Sequence, residues 1–349
     1  MLRTLSGPAM GSRWTARLDC TDSEVAALTH ACAEAIERIE AQMSNWRADS
    51  DLSRLNAAPV GHWVGLPPET MTVLDKALEI GRASDGLFDI GVGAMVQAWG
   101  FGPAQGATDL TAIKAHLGTA LRGFATLELD LPGLRARKHA GMTLDLSGIA
   151  KGYGVDVLAR TLRGLGVAQA LAGLDGELVA MGRRPDGRPW AVALEEPDPA
   201  RRAACSVIEV TDRAVATSGS YRHFLNVGKL RVSHTMNPRT GGPAVSALVS
   251  VSVIARTCME ADAWATVLLV LGDVAGPAFA RAHGMQAIFL IRTKSGLDET
   301  LVGLAGEAEV GTATDEPGSI LVCGAGAGHR AGGKCRSDGA CPHVDKFNS

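Results

Sequence analysis

Aromatic side chains are scarce: Phe, Trp and Tyr together make up 4% of the 349 residues. A core without them must be filled by Leu, Val, Ala and Met. A hydrophobic share of 46% supplies enough of these for a large core that needs no disulfides. Net charge is also small. The 34 basic and 37 acidic residues leave −3, and no long basic block occurs. Nucleic acid is therefore not an expected partner, because binding a phosphate backbone needs a clustered positive surface. No apolar run reaches the roughly 18 residues of a membrane-spanning helix. Residues 1–8 lack the apolar segment of a secretory signal. The seven cysteines (20, 32, 205, 258, 323, 335 and 341) are odd in number and widely spaced, which argues against a disulfide framework. A Walker A loop and a Gly-x-Ser-x-Gly nucleophile elbow are both missing.

Glycine, by contrast, is abundant at 42 residues, which points to tight turns and close approaches of backbone to ligand. Apolar residues recur at helical spacing from Glu24 to Met43, with Ser23 or Asp22 as the expected cap and Cys32 as a small buried hydrophobe. Residues 44–56 are rich in cap and turn formers and read as a loop. Helices are expected at Pro68–Ala83, Ala150–Leu165 and Met259–Leu271. Strands are expected at 126–130, 142–146, 169–172, 178–181, 190–194, 205–210, 214–217, 249–255 and 287–291. This pattern predicts an α+β domain over residues 1–318, with a mainly antiparallel sheet packed with helices. Residues 319–349 are Gly/Cys-rich without period and read as a flexible tail. Cys323, Cys335, Cys341, His329 and His343 lie there, without Cys-x-x-Cys or His-x-x-x-His spacing to suggest zinc.

Four groups of residues could carry chemistry. Asp262 and Thr266 are four apart on a predicted helix, so they share a face and offer two hard oxygen ligands suited to Mg²⁺ or Ca²⁺. Taken alone, an ordinary polar helix face explains them better. Their apolar neighbours Ala261, Ala263, Ala265 and Val267 make the position buried, where an unpaired carboxylate is costly. Asp145 ends a strand, and Gly148 turns into a helix carrying Lys151, an anion cradle of helix amides plus ammonium. A solvated lysine is the plainer alternative. His234 sits in the turn-rich segment Ser233–Pro243, where an imidazole could act as general base; structural histidines are commoner. Ser218 is a weaker nucleophile candidate. Trp99-Gly-Phe-Gly102, with Trp46 and Phe88-Asp89, could clamp a planar ring or simply pack the core.

In order along the chain, Ala9–Ser12, Met43–Asn56, Asp85–Ile90, Trp99–Pro103, Asp145–Gly152, Thr217–Arg222, His234–Gly241 and Ala261–Thr266 together resemble the FAD:protein FMN transferase (ApbE) family. The resemblance spans nearly all of residues 7–275. It implies cleavage of FAD with Mg²⁺, transfer of FMN to a Thr or Ser hydroxyl of a target flavoprotein, and release of AMP. It further implies metal ligation by Asp262, Thr266 and the Gly148 carbonyl. Flavin-nucleotide contacts fall to Met10, Trp46, Leu87, Phe88, Asp89, Asp145, Lys151 and Met236, and activation of the acceptor hydroxyl falls to His234. Three positions depart from the family pattern. Trp46 stands for the usual Tyr, Leu174-Asp-Gly-Glu177 for Gly-Gly-Asp, and Asn237 for Asp. Those changes leave open FAD binding without transfer, or hydrolysis to FMN and AMP. A periplasmic or membrane-anchored location follows from the family. Without a signal segment, a cytoplasmic protein or a trimmed form is expected.

Overall fold

The chain opens with a hairpin. Strands Leu2–Ala9 and Ser12–Asp19 are joined by Met10-Gly11, both at positive φ (43° and 76°), the twist a two-residue hairpin loop requires. This computed structural model describes residues 1–304 apart from 103–107, 119–121, 198–203, 222–223 and 228–229, together with strand Ile320–Val322. Eight strands form the main sheet, in the order 2–9, 12–19, 170–174, 177–181, 214–219, 248–255, 286–293 and 296–302. Every neighbouring pair is antiparallel. The expected α+β architecture is what the chain adopts.

Strand periodicity divides the core into layers. Ala170, Ala172 and Leu174 point to the helices, whereas Leu171, Leu178 and Ala180 meet Trp190, Val192 and Ile208 of a smaller sheet. That smaller sheet pairs Trp190–Glu195 with Ala204–Val210 and, in parallel, with Ile320–Val322. The remainder of the expected tail lies outside the described residues. On the helical side lie Asp22–Met43, Ala150–Gly164 and Cys258–Ala282. Cys32 is fully buried there, and burial pushes its thiol up to about 11. All four described cysteines are free.

Several elements differ from the sequence expectation. Thr21, not Ser23 or Asp22, precedes the first helix, and its amide donates to the Glu24 carboxylate at 2.8 Å. Within 44–56 a short helix, Asp51–Ala57, forms because the Ser50 hydroxyl accepts the Ser53 amide at 3.0 Å. Residues 142–146 are not a strand; only Thr143 makes a bridge, to Val92. The helix expected to stop at Leu271 bends at Gly272 (φ 81°) and resumes to Ala282. Among the described residues, Cys258–Ala282 is the one helix long and apolar enough, by length and composition, to cross a membrane. Its buried residues pack instead against Ala216, Val251 and Phe289 of the main sheet.

The helices Ala150–Gly164 and Cys258–Ala282 start side by side and cap one another. Asp262 Oδ2 accepts the Gly152 amide at 3.0 Å. Asp156 returns the contact, accepting the amides of Cys258 and Met259 at 2.9 and 3.0 Å. Each carboxylate satisfies first-turn donors that have no partner within their own helix. The crossing is possible only without a side chain at position 152. A Cβ there would lie 2.3 Å from the Cys258 carbonyl oxygen and 2.8 Å from the Asp262 Cβ. Gly152→Ala should therefore destabilise the fold by about 1–3 kcal/mol, the usual range for overpacking. Urea unfolding checks this, and wild-type stability would show that the helices can separate freely.

Candidate active site

The twelve residues to which the family resemblance assigns a part all line one cavity of about 340 Å³. Met10 comes from the hairpin turn, and Trp46 from the segment after the first helix. Leu87, Phe88 and Asp89 come from the loop after Pro68–Ala83. Asp145, Gly148 and Lys151 follow the chain into Ala150–Gly164, His234 and Met236 lie on the segment after 230–233, and Asp262 and Thr266 lie on Cys258–Ala282.

The floor is built at the helix crossing. Asp262 is 3% exposed, and among the described residues its Oδ1 makes no hydrogen bond. Burial pushes its carboxyl up to about 6, against the pull of Lys151 and the Gly152 amide. Thr266 Oγ1 donates to the Asp262 carbonyl at 3.3 Å and lies 3.5 Å from Ser218 Oγ. Gly148 packs against this hydroxyl: a Cβ at 148 would be 3.1 Å from Thr266 Oγ1 and 3.3 Å from Phe88. Asp262, Thr266 and Gly148 thus line one cavity together.

Lys151 is buried rather than solvated, which removes the plainer alternative. Its Nζ lies 3.2 Å from Glu177 Oε1 and 3.6 Å from Asp175 Oδ2. Burial pulls the ammonium down, but the carboxylates of Glu177, Asp175 and Asp262 more than offset it, so Lys151 stays charged. Burial likewise pushes the fully enclosed Glu177 carboxyl well above its usual range. Asp175, in the loop that departs from the family pattern, sits at φ 56°, a backbone region where glycine is at ease.

Several lining side chains also have structural partners. Asp89 is buried, and its carboxylate accepts the amides of Gly91 and Gly123 at 2.7 and 2.6 Å, so it pins a loop. Asp145 Oδ1 accepts the Ser147 amide at 2.8 Å, shaping the turn that presents Gly148. Trp46 is 46% exposed at the rim. Phe101, rather than Trp99, lines the cavity, edge-on to His234 with centroids 6.3 Å apart. Asn237 does not line it. Its Oδ1 accepts the Arg239 amide at 2.9 Å, a turn contact that Asp would also make. Sequence reasoning missed Glu40, which lines the cavity and accepts the Met10 amide at 3.0 Å. Its helical spacing, three residues before Met43, was the available signal.

The match to known proteins covers this whole site. The ApbE family model aligns with residues 10–289. The chain belongs to the ApbE family. It is 35% identical over 301 residues to a Vibrio cholerae protein named FAD:protein FMN transferase, covering 84% of this chain and 89% of the relative. It is 33% identical to the Escherichia coli K12 protein of the same name, covering 84% of each. Among solved structures, the flavin transferase ApbE from Vibrio cholerae superposes with a TM-score of 0.76 at 32% identity, covering 86% of this chain and 98% of that one. The apo flavinyl transferase ApbE from Pseudomonas stutzeri also gives 0.76, at 34% identity over 86% and 95% of the two chains.

The buried carboxyls set a pH dependence. Asp262, Glu177, Asp156 and Asp89 all hold a proton more tightly in the fold than in the unfolded chain, where such groups titrate near 4. The folded state then binds more protons, so stability falls as pH rises through the folded values. The metal-free protein should melt at a higher temperature at pH 5.5 than at pH 7, and Asp262→Asn should flatten that slope. Melting temperatures that climb with pH over this window would contradict the electrostatics described.

Proposed function

We infer that the protein is a Mg²⁺-dependent FAD:protein FMN transferase, which moves FMN from FAD to a Thr or Ser hydroxyl of a target protein and releases AMP. One observation carries this reading. A single cavity joins an oxygen donor set at Asp262, Thr266 and Gly148 to a buried, charged Lys151, in a chain whose relatives bear that name.

The donor chemistry fits magnesium. A carboxylate, a hydroxyl and a backbone carbonyl are hard oxygen ligands. Among the described residues, no group of three or more His, Cys, Asp or Glu is placed to hold a metal, so an ion here would rest on one carboxylate with neutral oxygens. When bound, Mg²⁺ would offset the negative charge of the pyrophosphate. Lys151 adds a positive charge from the neighbouring wall, paired with Glu177 and Asp175. Apolar Met10, Leu87, Phe88 and Met236, with Trp46 at the rim, give the nucleotide rings surfaces to stack on and keep water out.

In the transfer, the acceptor hydroxyl oxygen attacks the FMN-side phosphorus while His234 takes the hydroxyl proton. The bond from that phosphorus to the bridging oxygen breaks, and AMP leaves with the bridging oxygen. His234 is suited to this by position: it lines the same cavity and packs edge-on against Phe101.

Protein incubated with FAD, Mg²⁺ and a flavinylation-target domain should yield a fluorescent, covalently labelled acceptor and an equal amount of AMP. Asp262→Ala should abolish labelling while the fold persists. His234→Ala should spare FAD binding and slow transfer by about 10²–10⁴-fold, the usual worth of a general base. AMP released without any acceptor would support a pyrophosphatase instead, and tight FAD binding with no AMP would support a carrier.

A further inference from the structure

Lys138 is a buried lysine to which the transfer chemistry gives no part. It is 4% exposed, on strand Arg135–Lys138, and burial pulls its ammonium below the usual lysine range. Its Nζ donates to the backbone carbonyl of Asn56 at 2.5 Å. Asn56 lies in the last turn of the short Asp51–Ala57 helix and turns its side-chain amide to Leu144. Oδ1 accepts the Leu144 amide at 2.7 Å, and Nδ2 donates to the Leu144 carbonyl at 3.0 Å. One side chain thus makes both hydrogen bonds that a neighbouring strand would make. The opposite side of this stretch is held by backbone: the Asp145 amide donates to Ile90 O at 2.7 Å, and the Gly93 amide to Thr143 O at 2.9 Å. Residues 143–145 are therefore fixed from two sides without belonging to a sheet.

The geometry points to Asn56, braced by Lys138, as the positioning residue of the Asp145–Gly148 turn and, through it, of Gly148 against Thr266 and of Lys151. The role in transfer rests on the function proposed above; the role in holding the turn does not. The side-chain amide is the decisive feature, because it has both a donor and an acceptor in one plane. Asp at this position has the same size but sets a carboxylate oxygen against the Leu144 carbonyl. A residue that merely filled space would tolerate that change.

The test compares Asn56→Asp and Asn56→Ala with wild type in hydrogen exchange and FMN transfer, with Lys138→Met as a milder third variant that frees Asn56 from behind. Both Asn56 variants should exchange the amides of 144–150 at least about tenfold faster, with the main-sheet amides unchanged. They should also lower kcat by about 10- to 100-fold, the cost of misplacing reacting groups by an ångström or so. The apparent KM for FAD should change much less, and Lys138→Met should loosen the same segment to a smaller degree. Asn56→Asp with wild-type exchange or a wild-type rate would overturn the assignment, as would loosening spread over the whole protein. A wild-type protein that transfers no FMN would sink the transferase reading alone, since the exchange data still decide whether Asn56 holds the turn.

Discussion

Two helices begin at one point, and each supplies the carboxylate that caps the other. Asp262 takes the Gly152 amide, and Asp156 takes the amides of Cys258 and Met259. Most of what the site can do depends on this clasp. It brings a residue from position 262 beside one from position 151 although they are far apart in sequence, and it allows no side chain at position 152. It also explains how a carboxylate can be 3% exposed without being stranded: one oxygen is occupied by a helix amide, and the other is left available. Desolvating Asp262 costs stability. The Lys151 ammonium and the Gly152 amide offset part of that cost.

Charge inside the cavity is balanced unevenly. Around the Lys151 ammonium stand Glu177, Asp175 and Asp262, and burial pushes the carboxyls of Glu177 and Asp262 toward their protonated forms. The same cluster shows how this chain accommodates its departure from the family pattern. Asp175 adopts the left-handed backbone that glycine would take more easily, and Glu177 is enclosed where it can reach Lys151.

Much of the architecture was legible because it rests on local periodicity. Pro68–Ala83 and the strands around 177–181, 190–195 and 204–210 appear where alternation or helical spacing places them. What escaped reading depends on partners distant in sequence. The 142–146 segment alternates like a strand, yet its bonds go to the Asn56 side chain and to residues 90–93, which no local pattern reveals. The first hairpin was missed because its turn, Met10-Gly11, puts a non-glycine residue at positive φ. The site residues were found as motifs, and the fold brings all twelve to one cavity. Their individual parts were harder to foresee: that Asp89 pins a loop and that Lys151 is buried follow only from tertiary contacts.

On the function proposed above, the helix crossing builds one composite site, with a cation on the Asp262 side and the FAD pyrophosphate between it and Lys151. The most direct measurement is a crystal structure of the Asn56-intact, wild-type protein with FAD and Mn²⁺, collected for anomalous scattering from manganese. The predicted result is one peak about 2.1–2.2 Å from Asp262 Oδ1 and Thr266 Oγ1, as expected for a small hard cation on oxygen, with the pyrophosphate bridging to Lys151. A peak elsewhere, or FAD bound in this cavity with no metal beside Asp262, would contradict it.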